Sequence, residues 1–201
     1  MSAARRGATW ARTSGLPAYA CAIANLAAVL ALATVLAPGT TLAGDAARAS
    51  YVRDHLIAWR LGWSAWIVAA ISLLLFYAWW TAARRAGRLA LGVALSGFVA
   101  DVIAESMLIA AVPDRPDLAR AAFFLTGAVA NGCYTIAGII LSLQTPVLRG
   151  AVAVWTAVMW ASGLALSLLA ALDVPLGVAV STAILFALFL PWLVIVGRRL
   201  A

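Results

Sequence analysis

The sequence predicts an all-α membrane protein, a polytopic bundle of six transmembrane helices. Of its 201 residues, 66% are hydrophobic and only 10% are charged. In a soluble domain about a quarter of the residues are charged. The apolar residues form long, nearly uninterrupted runs, as membrane helices require; barrel strands would be short and would alternate apolar with polar residues. We therefore expect most of the apolar surface to face lipid.

Six apolar runs are each close to the length of about 20 residues that crosses a bilayer. We expect them at about 17–37, 61–83, 89–112, 121–143, 151–172 and 176–196, with Pro38-Gly39 ending the first. The first run follows a basic stretch, as a signal peptide would, but it is long for a signal core, so we expect a retained helix. The expected organisation is a tail over 1–16, one six-helix transmembrane domain over 17–196 and a tail over 197–201.

Residues 40–60 form the longest connection and carry a helical apolar stripe. Val52, Leu56 and Trp59 recur at positions i, i+4 and i+7 among charged residues. This spacing predicts an amphipathic segment that lies along the membrane surface and leads into the second span. A lid over a substrate is the alternative.

Aromatic residues mark both ends of the second span. One group is Trp59, Trp63 and Trp66, and the other is Tyr77, Trp79 and Trp80. Amphipathic rings prefer the headgroup level, so we interpret both groups as membrane anchors.

The charges are distributed asymmetrically about the six spans. If the spans alternate sides, one side collects nine arginines and no acid: Arg5, Arg6, Arg12, Arg84, Arg85, Arg88, Arg149, Arg198 and Arg199. The other side collects five arginines and five acids. By the positive-inside rule both termini are cytoplasmic and the 40–60 segment is periplasmic. The absence of lysine beside abundant alanine suggests a GC-rich bacterial genome, so the expected location is a bacterial inner membrane.

Several function classes lack their signatures in this chain. The basic residues adjoin apolar runs, which indicates topology and not nucleic-acid binding. Cys21 and Cys133 stand alone inside predicted spans and His55 is the sole histidine, so we expect no metal and no cofactor. No nucleotide loop or catalytic serine motif is present. The expected partners are the lipid bilayer and a small-molecule or lipid ligand.

Two short motifs near the start of the chain are similar to those of a known family. They are Gly44-Asp45-Ala46-Ala47, before the second span, and Arg60-Leu61-Gly62, which opens it. On these residues the first third of the chain resembles an uncharacterised bacterial six-helix family known only as a domain of unknown function. The resemblance implies the topology and carries no activity.

The third span contains two acids in an otherwise apolar run. Asp101 lies near its middle, and Glu105 follows one turn nearer the periplasm on the same helix face. A charged carboxylate at this depth costs at least about 2.5–3.5 kcal/mol, so each acid must be protonated, paired or open to a wet cavity. Small residues share that face and bulky ones lie opposite, which points the acids inward. The small set is Ala90, Ala94, Gly97 and Ala104, and the bulky set is Leu95, Val99, Val102 and Ile103.

The fourth span carries a matching stripe of polar and small residues. Its members are Gly127, Ala128, Asn131, Tyr134, Thr135, Gly138 and Ser142. Counting depth from the connecting turn places Asp101 level with Asn131, Glu105 level with Thr126 and Gly127, and Ser96 level with Thr135. Further candidates for the same interior are Asn25 of the first span and Thr156, Gly163 and Ser167 of the fifth. The candidate site is therefore Asp101, Glu105, Asn131, Tyr134, Thr135 and Asn25.

Three functions fit this pattern. In the first, Asp101 and Glu105 load and unload protons or a cation in a small-solute transport component. In the second, the two acids and Tyr134 perform acid–base chemistry on a lipid or isoprenoid. In the third, Asp101 hydrogen-bonds Asn131 only to hold helices together in a structural or accessory subunit, at about 0.6 kcal/mol.

Overall fold

Six of the seven helices in the described part of the chain are long and apolar enough to cross a membrane. A computed structural model describes residues 14–41, 44–82, 87–146 and 148–200, which form helices and short connections without a strand. The helices are α1 (Leu16–Thr40), α2 (Asp45–Asp54), α3 (Leu56–Thr81), α4 (Gly87–Ala111), α5 (Pro116–Leu143), α6 (Ala151–Ala171) and α7 (Pro175–Leu200). All but α2 correspond to the six predicted spans. The basic tail with Arg5, Arg6 and Arg12, and the loop residues Arg84 and Arg85, lie outside the described residues.

Helix α1 continues through Pro38, where the sequence predicted its end. A proline lacks the N–H that an α-helix needs, and its ring crowds the carbonyl group four residues earlier. Just before Pro38 the helix widens into a π-helical turn, Leu32–Leu36, in which hydrogen bonds run to the fifth preceding residue. The predicted break at Pro38-Gly39 was therefore wrong.

The membrane helices form a closed ring. Each of α1, α3, α4, α5, α6 and α7 packs beside the next, and α7 returns to α1. Side chains fill the interior of the ring: the Tyr77 hydroxyl of α3 donates to the Tyr134 carbonyl of α5 at 2.6 Å. The connections between successive membrane helices are short, so helices that follow one another in the ring run antiparallel.

The buried hydrophobic residues form two separate clusters. At the end that carries Arg88, Arg149 and the C-terminal arginines, six rings pack together into what we call the aromatic layer: Phe76, Tyr77, Trp80, Trp160, Phe189 and Trp192. Its indole N–H groups donate to side-chain oxygens, as in the 2.8 Å bond from Trp192 to Thr156. The second, which we call the α2-end cluster, lies at the other end: Leu36, Val52, Trp59, Trp63, Leu108, Val112, Ala119 and Ala122.

Most of the tryptophans predicted as membrane anchors are core residues. Trp59 is fully buried, Trp63 is 5% exposed and Trp80 is 2% exposed. The anchoring interpretation was wrong for these three because their spacing of four or three residues places each group on the inward face of α3.

Helix α2 crosses the end of the bundle, where the sequence predicted a surface segment. Val52 is fully buried against α1 and α3, the Tyr51 hydroxyl donates to the Val35 carbonyl at 2.6 Å, and Arg48 donates to the Gly39 carbonyl at 3.1 Å. The predicted stripe of Val52 and Trp59 therefore faces the protein.

Gly138 is the position where a side chain would most disturb the aromatic layer. A Cβ atom there would overlap the Trp160 ring, which is held by Phe189, Trp192 and a hydrogen bond to Ser142. We expect Gly138→Ala to lose about 1–3 kcal/mol of stability. Gly92→Ala is the matched control, since a Cβ atom at Gly92 meets nothing within 4 Å, and it should gain about 0.5–1 kcal/mol. Melting temperatures in detergent would measure both, and equal values would contradict the expectation.

Candidate functional site

The inner face of α4 is the one that the sequence predicted. Asp101 is 7% exposed and Glu105 is fully buried. Ala90, Ala94 and Ala104 are also fully buried, and Gly97 packs against α5. On the opposite face Leu95, Val99 and Ile103 are each about half exposed. The 3.6-residue period of small and bulky residues thus decides which way the acids point.

The Asp101 carboxylate is bonded to α5, but not at the predicted residue. Thr126 Oγ1 donates to Asp101 Oδ1 at 2.5 Å, five positions before Asn131. The predicted pairing of Asp101 with Asn131 was wrong because the turn is shorter than expected. Helix α5 begins at Pro116, directly after the 112–115 connection, and not near residue 121. The depth register between α4 and α5 shifts accordingly.

Asn131 and Thr135 belong to the contact between α5 and α6. The Asn131 amide donates to the Gly163 carbonyl at 2.8 Å and to Ser167 Oγ at 2.7 Å. Thr135 is 1% exposed and lies against Gly163. A Cβ atom added to Gly163 would overlap Thr135 Oγ1. These two candidates therefore join helices and do not face the acids.

Two further residues named from the sequence are also bonded elsewhere. The Asn25 amide, 4% exposed, donates to the Cys21 carbonyl of its own helix at 2.9 Å. Ser96 is exposed and donates to the Gly92 carbonyl at 3.2 Å. Neither is bonded to Asp101 or Glu105, and Thr156 of α6 is used in the aromatic layer.

Glu105 carries two buried carboxyl oxygens, and neither has a hydrogen-bond partner. The buried Tyr134 hydroxyl lies beside the Asp101 carboxyl and also near Glu105. A buried polar group left unpaired costs about 1–3 kcal/mol, and more if it is charged. A fully buried, unpaired carboxyl is therefore stable in its neutral form.

Two tryptophans of α3 also carry unpaired donors. The indole N–H groups of Trp63 and Trp66 are buried and also lack partners. The register of α3 against α4 follows from two bonds: Trp59 Nε1 donates to the Leu108 carbonyl at 2.7 Å and Arg60 Nε to the Ile109 carbonyl at 3.2 Å. This register places Trp63 at about the same depth as Glu105. From the sequence we interpreted these tryptophans as membrane anchors and therefore did not predict their buried N–H groups. Their spacing along α3 was the signal that could have indicated burial.

The two acids of α4 lie between the two hydrophobic clusters. On α4 the cluster that contains the aromatic layer reaches Ala100, and the α2-end cluster begins at Leu108. Asp101 and Glu105 fall between them. We call these two acids, together with Tyr134 of the first cluster and Trp63 of the α2-end cluster, the central polar site.

The central polar site offers acceptors, donors and rings, but few metal ligands. Asp101 and Glu105 supply carboxyl oxygens, and no group of three or more His, Cys, Asp or Glu side chains gathers within the described residues. Carboxyl groups can exchange protons and accept hydrogen bonds, and the indole N–H of Trp63 can donate one.

Comparison with known proteins adds no assignment to this geometry. No protein-family model, curated protein or solved structure matches this chain. The chemistry of the central polar site therefore follows from its own residues.

Proposed function

We propose that this protein is a transport component of a bacterial inner membrane, in which Asp101 and Glu105 carry a proton that is exchanged for a small solute. The observation that supports this most strongly is Glu105, fully buried with neither carboxyl oxygen bonded. Buried acids inside membrane helices are costly and serve most often in proton or ion pathways. A neutral Glu105 holds its proton while it is buried and releases it when water or a cation reaches it.

The two hydrophobic clusters support the same function. A carrier must separate its site from each side of the membrane in turn. The aromatic layer lies on one side of Glu105 and the α2-end cluster on the other. Loosening either cluster would expose the acids to one end of the bundle, whereas loosening both would create a leak.

The orientation belongs to the proposal as well. Arg88, Arg149, Arg198 and Arg199 are exposed at one end. The sequence predicts the arginines of the basic tail and loop on the same side of the membrane. By the positive-inside rule this end is cytoplasmic. The α2 end is then periplasmic, and the aromatic layer is the cytoplasmic barrier.

A purely structural role suits other residues better than Glu105. Asn131 makes two bonds across α5 and α6, as interhelical contacts in membranes do. Glu105 makes no bond of this kind. The membrane-enzyme alternative needs an apolar tunnel that ends at Asp101, and no feature of the described residues favours it.

Proton movement tests the proposal even while the solute is unidentified. Purified protein is reconstituted into liposomes loaded with the pH dye pyranine, and amines, amino acids, sugars and monovalent cations are added one at a time. We expect at least one solute to move protons, and Glu105→Gln and Asp101→Asn to reduce this movement to the level of empty liposomes. The titratable groups near Glu105 are Asp101 on its own helix and Tyr134 on α5.

Ser96→Ala is the matched control for this experiment. Ser96 lies on the same helix, is exposed, and bonds only its own turn, so its variant should transport like the original protein. Unchanged proton movement in both acid variants would refute the proposal. So would a folded wild-type protein that moves no protons with any solute in the panel.

A further inference from the structure

We infer that the solute is a small organic ammonium ion that also carries an oxygen acceptor, such as an amino alcohol. Its N–H groups would bind Glu105 and its oxygen would accept from the indole N–H of Trp63. This inference rests on the proposed transport function and names the chemical class that the central polar site accepts.

The two carboxyl groups of the site favour a cationic solute over an anionic one. The site contains two carboxyls, and the described arginines are all exposed except Arg48, which is half-buried and bonded to Gly39. Arg48 lies over the Phe123 ring, 5.6 Å from its centroid, and no described arginine forms an ion pair with Asp101 or Glu105. An anionic solute would meet two acids without a counter-ion, which is a strongly unfavourable arrangement in a buried site.

The rings and donors favour an ammonium ion over a bare metal ion. Trp63 packs against Phe123 with ring centroids 6.1 Å apart, and Trp66 against Phe186 at 5.6 Å. Aromatic faces attract organic cations. A metal ion requires several oxygen ligands around it, whereas indole N–H groups present hydrogen atoms. An ammonium group donates directional bonds to carboxyl oxygens, which are the acceptors that Glu105 leaves open.

The unpaired donors require an acceptor on the same molecule. The indole N–H groups of Trp63 and Trp66 are buried without partners. Buried donors in native proteins are nearly always bonded to protein, water or a ligand. Because Trp63 lies at about the depth of Glu105, one small molecule with an ammonium group at one end and a hydroxyl or carbonyl oxygen at the other would satisfy both groups.

Competition binding to the full-length protein in lipid nanodiscs tests this inference. The labelled probe is radioactive ethanolamine, and the competitors are unlabelled ethanolamine, ethylamine, ethylene glycol and sodium chloride at constant ionic strength. We expect ethylamine, which lacks the oxygen, to compete about tenfold more weakly than ethanolamine, since one lost bond to a buried donor has that effect. Ethylene glycol and sodium should not compete.

Two variants assign the two ends of the ligand. Glu105→Gln should abolish ethanolamine binding. Trp63→Phe keeps a ring but removes the N–H, so it should bring ethanolamine and ethylamine to similar affinity. Trp155→Phe is the matched control, because the Trp155 indole already donates to the Leu188 carbonyl at 3.1 Å; it should leave the tenfold difference unchanged. Melting temperatures establish that each variant is folded.

The outcomes separate this inference from the proposed function. Absence of ethanolamine binding to folded wild-type protein, or equal competition by sodium, overturns the ammonium assignment. Equal affinities of ethanolamine and ethylamine in the wild-type protein overturn the role of Trp63. If proton movement still depends on Asp101 and Glu105 with a different solute, the transport function stands and only the solute class is wrong.

Discussion

Glu105→Met is expected to stabilise the protein while abolishing proton movement. Methionine is unbranched and similar in length to glutamate, and it removes two buried acceptors that have no partner. Replacing unpaired buried polar groups by apolar ones is neutral or stabilising, so we expect a gain of about 1–3 kcal/mol. The melting temperature in detergent and the pyranine assay in liposomes measure the two effects on the same preparation.

Asp101→Leu is the comparison that makes this result specific. Asp101 accepts a hydrogen bond from Thr126, so its replacement removes a bond between α4 and α5 that Glu105 does not make. We expect Asp101→Leu to be less stable than Glu105→Met. A large loss of stability in Glu105→Met would mean that Glu105 is a packing residue, which contradicts the transport proposal.

Trp192→Ala is expected to cause the largest loss of stability among these substitutions. Trp192 is fully buried at the centre of the aromatic layer, with its N–H bonded to Thr156. Four rings surround it: Phe76, Trp80, Trp160 and Phe189. Truncation of a buried tryptophan costs about 3–5 kcal/mol, and thermal unfolding followed by intrinsic fluorescence would measure this.

Two other tryptophan variants give the scale of this effect. Trp192→Phe retains a ring and loses mainly the bond to Thr156, so it should lose about 1 kcal/mol. Trp155→Ala removes a half-buried ring outside the aromatic layer and should cost less than Trp192→Ala. Equal melting temperatures for Trp155→Ala and Trp192→Ala would show that the aromatic layer is not a centre of stability.

Composition and periodicity predict the helices and one face of the site, for identifiable reasons. The number of spans follows from long apolar runs, whose length is set by the bilayer. The inward face of α4 was predicted correctly because Gly87–Ser106 is regular α-helix throughout. Small and bulky residues therefore keep a constant period from Ala90 to Ala104.

The partner helix could not be placed in the same way. Helix α5 contains a π-helical stretch, Phe124–Ala130, so residues before and after it do not follow one period. Its early start at Pro116 also changes the depth of every residue relative to α4. Thr126 therefore meets Asp101, while Asn131 turns to α6. The burial of the Trp63 and Trp66 indole N–H groups was equally hidden, since the same residues suit a membrane interface and a protein core.

The π-helical turn Met107–Ala111 is joined to the start of α3 by two side chains. It begins two residues after Glu105, and Trp59 and Arg60 of α3 donate hydrogen bonds to the carbonyl groups of Leu108 and Ile109 within it. Only His55 separates α2 from α3. The backbone of α4 just beyond Glu105 is therefore tied, through these two hydrogen bonds, to the part of the chain that directly follows α2.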